Sequence, residues 1–257
     1  MIDNDTLLNT QYYEHPYQKE KGYLQELLLS FVYRDAAGLV FKGGTALSKF
    51  YGLPRFSDDL DFSLLRGGKT GTARCLDNAV KKASESYSTR VLRRRDKHDI
   101  LAYELSIMGP LFKTAEKYQH LKLEVDLTSS VIETPAALRR NPRYPDVMPY
   151  VALVMKEDEI LAEKTHALLF RHTAKARDLF DLYFLLEKGI AIRASLIDKK
   201  MREHGQAYSS ERLEGRINLL GSVWTRELSR LLPEKEFVGY NEAKNRVLEG
   251  FKSADML

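Results

Sequence analysis

A mixed α/β front half followed by a helical back half, and hence an α+β chain, is the fold class this sequence predicts. Three observations lead there. Short apolar or alternating runs interleave with helical ones through the first 140 or so positions. The stretch NPRYPDVMPY at 141–150 then places three prolines in ten residues. Proline fixes its own backbone, removes a donor and pushes the preceding residue out of helical space, so an extended connector is expected there. Beyond it nearly every segment carries helical periodicity. Two domains follow, an α/β domain over 1–150 and a helical domain over 151–257.

In order along the chain, 19–33 is a predicted helix, with Leu24, Leu27, Leu28 and Phe31 on one stripe. The apolar run 39–42 is a short strand ending in Gly43-Gly44, and 46–51 is a brief helix. Strand alternation covers 59–65, helical spacing 72–88, and alternation again 100–108 and 120–128. After the prolines, 151–155 is one last strand candidate. Helices are expected over 157–171, 174–188, 193–204, 210–220 and 241–251.

Composition narrows the class. The 257 residues are 44% hydrophobic and 30% charged, which suits a soluble globular chain with a real core. No run approaches the ~18 apolar residues of a membrane helix. The polar, acidic start MIDNDTLLNTQYYEH has none of the features of a secretory signal. Cys75 is the single cysteine, which excludes a disulfide scaffold and a thiolate zinc cluster. A cytoplasmic protein without membrane association is the expectation. The net charge of +4 is too small to mark a nucleic-acid binder. The cations do cluster, at Arg90, Arg93, Arg94, Arg95 and Lys97 and at Arg139, Arg140 and Arg143.

The chemistry-bearing segment is FKGGTALSKFYGLPRFSDDLDFSLL, 41–65. Alternate side chains of a strand share a face, so Ser57, Asp59, Asp61 and Ser63 lie opposite Leu60, Phe62 and Leu64. The apolar set must face the core, which leaves Asp59 and Asp61 projecting together from the other side. Asp58 falls on the core-side register. Two carboxylates about 7 Å apart along a strand can converge on a divalent ion, and oxygen-only ligands favour Mg²⁺ or Mn²⁺ over zinc. Upstream, Gly43, Gly44 and Thr45 lie between a strand and a helix. There glycine allows close backbone approach, and the helix start offers N–H groups and a hydroxyl to a phosphate. The P-loop pattern GxxxxGK[ST] is absent.

A further acidic face follows in HLKLEVDLT, 120–128. Leu121, Leu123, Val125 and Leu127 take the core side, leaving Lys122, Glu124 and Asp126 on the other. Either Glu124 or Asp126 can complete a three-carboxylate site, and the pattern does not choose between them. In the back half, the 174–188 helix is apolar almost all round, so Asp178 and Asp181 need buried partners, with Lys164 or Arg177 as candidates. His166 reads as a packed or capping residue, and no G-x-S-x-G elbow is present.

GGT, a short helix and RxSxDLDF in that order resemble the nucleotidyltransferase fold of the DNA polymerase β superfamily. More narrowly, with EDEILAEKTHALLFR at 157–171 and KARDLFDLYFLLEKG at 175–189, the chain resembles the AbiEii/AbiGii-type toxins. The resemblance spans roughly 39–189. It implies a polymerase β-like domain with a mixed sheet, followed by a helical domain contributing to the active-site cleft.

Roles follow by resemblance. Asp59 and Asp61 match the metal-binding pair, with Glu124 a better match than Asp126 for the acidic residue of the second motif. Gly43, Gly44, Thr45 and Ser57 fall to nucleotide binding. Lys164 and the first aspartate of R-D-x-x-D, Asp178, match active-site positions. The implied activity is Mg²⁺- or Mn²⁺-dependent transfer of NMP from an NTP to an acceptor hydroxyl. A tRNA 3′ end is the leading acceptor class, and the enzyme would be the toxin of a toxin–antitoxin or phage-defence pair with a cognate antitoxin. Transfer to a protein or small molecule, and a non-catalytic nucleotide- or RNA-binding module, are the alternatives.

Overall fold

The alternating runs of the front half become strands: β1 (Leu39–Lys42), β2 (Leu60–Leu64), β3 (Thr89–Asp96), β4 (Ile100–Ile107), β5 (Gln119–Asp126), β6 (Ala136–Arg140) and β7 (Tyr150–Val154). They form one seven-stranded sheet in the order β3-β4-β5-β2-β1-β7-β6. Pairs β1–β7 and β2–β5 are parallel, and the other neighbours are antiparallel. The computed structural model describes residues 1–10, 13–35, 38–112, 117–128 and 130–257. The chain divides into two compact units. The first comprises Met1–Ala46, Asp58–Val131 and Pro135–Val154, and the second Leu47–Ser57, Ile132–Thr134 and Met155–Leu257.

In the first unit the short helix α1 (Asn4–Leu8) leads into α2 (Pro16–Asp35), which packs against α4 (Lys69–Ser86) and over β5 and β7. The sheet face beneath carries Phe41, Leu60, Phe62, Leu101, Leu105, Leu123 and Val125, all buried. Between β1 and β2 lies the single α-helical turn α3 (Gly43–Ala46), continued by a π-helical turn over Leu47–Tyr51. The opposite sheet face carries a row of registered residues, Lys42, Asp61, Glu124, Ala102 and Arg95, running from β1 to β3.

Three sequence expectations shift. The proline stretch is not an interdomain linker. It connects β6 to β7, which pair with Arg140 opposite Tyr150. A break after residue 150 would cut through β7, whose Leu153 and Val154 pair with Val40 and Phe41 of β1, and the units part after Val154 instead. Most of each arginine cluster also proves to lie in a strand, Arg90 to Arg95 in β3 and Arg139 and Arg140 in β6. β3 and β6 are the two edges of the sheet, where charged residues discourage further pairing. A register shift between Val91 and Arg93 leaves Leu92 exposed.

Buried carboxylates fasten this unit. Glu26 of α2 accepts from Arg140 Nε at 3.0 Å and Nη2 at 2.7 Å and from the Tyr150 hydroxyl at 2.7 Å. Arg140 is thus a fastener between the edge strand and α2, while its neighbour Arg139 is exposed and, among the described residues, bonds only to the Asn141 side chain. Glu20 accepts from the Leu111 N–H and from Gln119 Nε2, both at 2.6 Å, and burial pushes its carboxyl up.

The second unit contains α5 (Glu157–Phe170), α6 (Ala176–Glu187), α7 (Ala194–Glu203), α8 (Ser210–Asn218), α9 (Trp224–Leu228) and α10 (Tyr240–Ser253). α5 packs on α6, α7 and α8, while α6 also contacts α9 and α10. Glu159, fully buried, accepts from the N–H groups of Ile132 and Glu133 at 2.9 Å and lies 2.8 Å from Lys200 Nζ. That carboxylate explains why a three-residue excursion, Ile132–Thr134, belongs to the helical unit. Among the described residues no helix is long and apolar enough to cross a membrane.

Removing one member of a buried pair strands the other charge, at a cost of about 3–5 kcal/mol. Arg140→Ala is therefore expected to lower the unfolding free energy by about 3 kcal/mol. Arg139→Ala should stay within roughly 0.5 kcal/mol of the wild type. Urea denaturation of the two variants distinguishes fastener from surface charge.

Candidate active site

In the first unit the end of β1 meets the start of β2. Gly43 has φ +75°, a left-handed backbone that L side chains rarely adopt. A Cβ there would lie 2.9 Å from Asp61 Oδ2. Glycine is required on both counts, and it lets the backbone press against the Asp61 carboxylate. Thr45, 1% exposed, donates its hydroxyl to the Asp59 carbonyl at 2.5 Å. In this arrangement Thr45 positions the first aspartate of D-x-D.

Asp59 and Asp61 are half-buried, and Asp61 stands on the sheet face opposite α2 and α4. Asp58, by contrast, is bound into the structure, 2.6 Å from Lys21 Nζ, with its backbone carbonyl accepting from Gln25 Nε2 at 2.9 Å. Asp58 is thus turned towards α2, as the alternation predicts, while Asp61 of β2 stands on the other face of the sheet.

Of the two candidates for a third carboxylate, Glu124 is in register with Asp61 and Asp126 with Ser63. Glu124 Oε2 lies 2.5 Å from Lys122 Nζ and 3.2 Å from Arg95 Nη2. Arg95 reaches across β4 because the residue between them in the row is Ala102, whose side chain is a single methyl. Asp126 Oδ1 accepts from the Thr128 N–H at 3.0 Å, and Oδ2 lies 3.6 Å from Lys42 Nζ. Each of these acids therefore has cationic company.

Among the described residues no three His, Cys, Asp or Glu side chains gather closely enough to hold a metal alone. Mg²⁺ is commonly bound by one or two carboxylates plus substrate phosphates, without an all-protein cage. Asp59 and Asp61 beside the Gly43 backbone fit that requirement. Both donors are hard oxygens, and the glycine leaves open the space that a Cβ would take against Asp61.

The other predicted residues belong to the second unit. Ser57 is the last residue of its Leu47–Ser57 segment. Lys164 Nζ lies 2.7 Å from Asp181 Oδ2 and 3.3 Å from Asp178 Oδ1. Arg171 Nη1 is 3.2 Å from Asp178 Oδ2. Arg177, a candidate partner from the sequence, does not fill that role; Arg171, at the end of α5, does.

The residue that sequence reasoning missed is Arg55. It is 1% exposed and holds Asp181 through two parallel bonds of 2.6 Å, while its Nη1 donates to the Phe56 carbonyl at 2.9 Å. Such a fork-to-fork pair fixes orientation as well as charge. Burial pushes the Asp181 carboxyl up, but Arg55 and Lys164 outweigh it and hold the group below its ordinary value. A signal was present. Two acids on a buried helix demand more than one cation, and Arg55 stands just upstream of the D-x-D strand. His166 packs as expected, bonded to Gln206 at 2.8 Å and stacked on Phe170 and His204. Burial, with His204 beside it, lowers its affinity for a proton.

A seven-stranded mixed sheet carrying D-x-D next to a glycine turn, with a helical unit after it, makes this an α+β protein. The chain belongs to the family described as nucleotidyl transferase AbiEii toxin, type IV toxin–antitoxin system, which it matches over residues 28–244. It is therefore a nucleotidyltransferase toxin, for which a nucleotide substrate and an antitoxin partner are implied. Its fold is similar to MenT4, a nucleotidyltransferase toxin from Mycobacterium tuberculosis. That likeness has a TM-score of 0.70 at 19% identity and covers 100% of this chain and 91% of that one. It is also similar to JHP933 from Helicobacter pylori, with TM-score 0.53 at 19% identity over 93% of each chain. No curated protein matches the chain by sequence.

Gly43→Ala is expected to lower stability by about 1–2 kcal/mol through backbone strain. It should also cut nucleotidyl transfer by about 10²-fold, because a displacement near 1 Å at the reacting centre has that effect. Gly52 has φ +84° with nothing within 4 Å of its would-be Cβ, so Gly52→Ala should show the strain alone. Thermal melts and transfer assays on both variants separate the two effects.

The Arg55–Asp181 pair makes a second prediction. Because Asp181 titrates below its ordinary value of 3.8 in the folded protein, its stabilisation is complete above that pH. It is lost as pH falls through the lower, folded value. In urea denaturation at pH 2.5–7, Asp181→Asn should be destabilised by about 3–5 kcal/mol at neutral pH. The deficit should shrink towards the acid end.

Proposed function

We propose that this toxin transfers the nucleoside monophosphate of an NTP to the 3′-terminal hydroxyl of a tRNA, with Mg²⁺ (or Mn²⁺) held at Asp59 and Asp61. The observation that carries this reading is the pair of half-buried aspartates leading into and along β2, with the Gly43 backbone against one of them and the Thr45 hydroxyl fixing the other. The ion, when bound, supplies charge neutralisation at the phosphates and at the entering and leaving oxygens.

The chain's own residues do the positioning. Asp59 and Asp61 supply the anionic oxygens. Gly43 and Gly44 allow phosphate to approach the backbone, and Thr45 keeps Asp59 in place. Either Glu124 or Asp126 serves as the third carboxylate. Lys164 neutralises triphosphate charge, with Asp178 and Asp181 setting its ammonium in place; Ser57 contributes to nucleotide binding. The acceptor oxygen attacks the α-phosphorus, the bond from that phosphorus to the α–β bridging oxygen breaks, and pyrophosphate leaves. Antitoxin binding would silence this step, in a protein that works in the cytoplasm.

Purified protein with Mg²⁺ and each of four α-labelled NTPs, incubated with total cellular RNA, tests the reading. Label should enter tRNA-sized bands. Asp59→Asn and Asp61→Asn should each lose at least about 10²-fold of it, the lower bound for a direct ligand given what outer-shell changes cost. Their melting temperatures should stay near that of the wild type. Full transfer by either variant would refute the metal site, and label confined to a protein band would refute the RNA acceptor.

A further inference from the structure

The helical unit has a second charged feature that nucleotidyl transfer at Asp59 and Asp61 does not use. A pocket of about 320 Å³ is lined by Lys175, Arg177, Arg226, Glu227, Arg230 and Leu231. Four cations and one carboxylate leave it three charges positive. The carboxylate is already occupied. Glu227 Oε2 accepts from the Ala176 N–H at the start of α6, at 3.0 Å, and Oε1 lies 4.0 Å from Lys175 Nζ. A carboxylate at a helix N-terminus is favourable on its own account, so Glu227 is a cap that neutralises at most one neighbour. Arg177 and Arg226 make no ion pair and no hydrogen bond among the described residues. Arg177 is half-buried, and guanidinium partly withdrawn from water without a partner is costly unless an anion supplies one.

The frame of the pocket is fixed. The Leu231 carbonyl accepts from the Phe56 N–H at 2.7 Å, and the Leu231 N–H donates to the Leu228 carbonyl at 2.8 Å. Phe56 is the residue after Arg55, so the same segment that pairs with Asp181 also holds the pocket wall.

Size and lining select the ligand. A volume near the lower end of ligand pockets suits a group the size of one nucleotide. Leu231 is the only apolar residue of the lining. An acidic protein partner would need apolar or aromatic anchors at the centre of its interface, and this surface has none to receive them. Guanidinium groups instead match phosphate oxygens two at a time.

We propose that this pocket is a docking site for the sugar–phosphate backbone of an RNA, one phosphodiester seated among Arg177, Arg226 and Arg230. It rests on the reading that the acceptor is RNA, and it gives that acceptor a point of attachment separate from the carboxylates that perform the transfer.

Fluorescence anisotropy with an end-labelled tRNA transcript, in a KCl series from about 50 to 200 mM, reads the site. Arg226→Ala should weaken binding roughly three- to tenfold and reduce the slope of log K against log salt by about 0.7–0.9, the loss of one phosphate contact. Arg226→Lys should keep the slope, and Arg177→Ala should behave like Arg226→Ala. Arg139→Ala serves as the surface control, and thermal melts verify that each variant is folded. Wild-type affinity and slope in both alanine variants would overturn the proposal. So would a loss of poly-glutamate binding with RNA binding unchanged, because the pocket would then serve an acidic protein. The same preparations are assayed for transfer. RNA labelled by the wild type, with unchanged binding by the variants, refutes the pocket alone. RNA bound through these arginines but never labelled refutes the acceptor reading and leaves the pocket standing.

Discussion

Leu60 and Phe62 are fully buried beneath the helices of the first unit, and the register that buries them decides where every acid around them goes. Side chains alternate strictly along a strand, so a slip by one residue would put Asp61 into the apolar core and Phe62 into water. Both neighbours enforce the register. β1 aligns Phe41 with Phe62 and Lys42 with Asp61, while β5 aligns Val125 with Phe62 and Glu124 with Asp61. Hydrophobic burial is non-directional, yet through the pleat it aims a carboxylate. The glycine turn depends on that aim. Gly43 can press against Asp61 only because the adjacent residue, Lys42, is paired with Asp61 across the ladder.

The helical unit solves a different problem, that of charge in a dry place. Asp178 and Asp181 are fully buried, and the desolvation of two carboxylates outweighs any one cation's attraction unless geometry is good. Three cations share them. Arg55 takes both oxygens of Asp181, Lys164 bridges the two acids, and Arg171 faces the far oxygen of Asp178. Lys164 is thereby held by its ends, its stem in α5 and its ammonium between two carboxylates of α6. A lysine fixed so firmly has little side-chain freedom left.

Much of this arrangement was legible in the sequence because it rests on periodicity. β1, β2, β4 and β5 show as apolar or alternating runs since one face of each is buried. β3 and β6 do not, because edge strands such as TRVLRRRD and AALRR are exposed on much of both faces and so show no apolar alternation. The same exposure made their arginines look like one kind of surface cluster, although Arg140 is committed to Glu26. Arg55 was only half legible, for another reason: two acids on a buried helix call for a second cation without saying which one. Its partner lies 126 residues away, and no local pattern reports a contact of that separation. The strand faces around Asp61 and Glu124 were thus readable from alternation, whereas the ion cluster of the second unit required the fold.

Net charge is a poor guide to what the cations do. A surplus of four spread over the chain predicts little. Sorted by environment, the arginines fall into groups with different physics. Arg55 and Arg140 are spent on buried carboxylates, where their removal would strand a charge. Arg94 and Arg95 are partly engaged on the sheet edge, Arg94 near Asp77 and Asp96 and Arg95 near Glu104 and Glu124. Arg177 and Arg226 have no such obligation, and they stand together in a concave surface whose one acid is already a helix cap. A backbone phosphate held away from the transfer site, as proposed above, calls for cations whose charge is not already answered within the fold. Arg90 and Arg93 of β3 also lack an ion pair among the described residues, but they lie along an exposed edge strand, whereas Arg177 and Arg226 line one pocket.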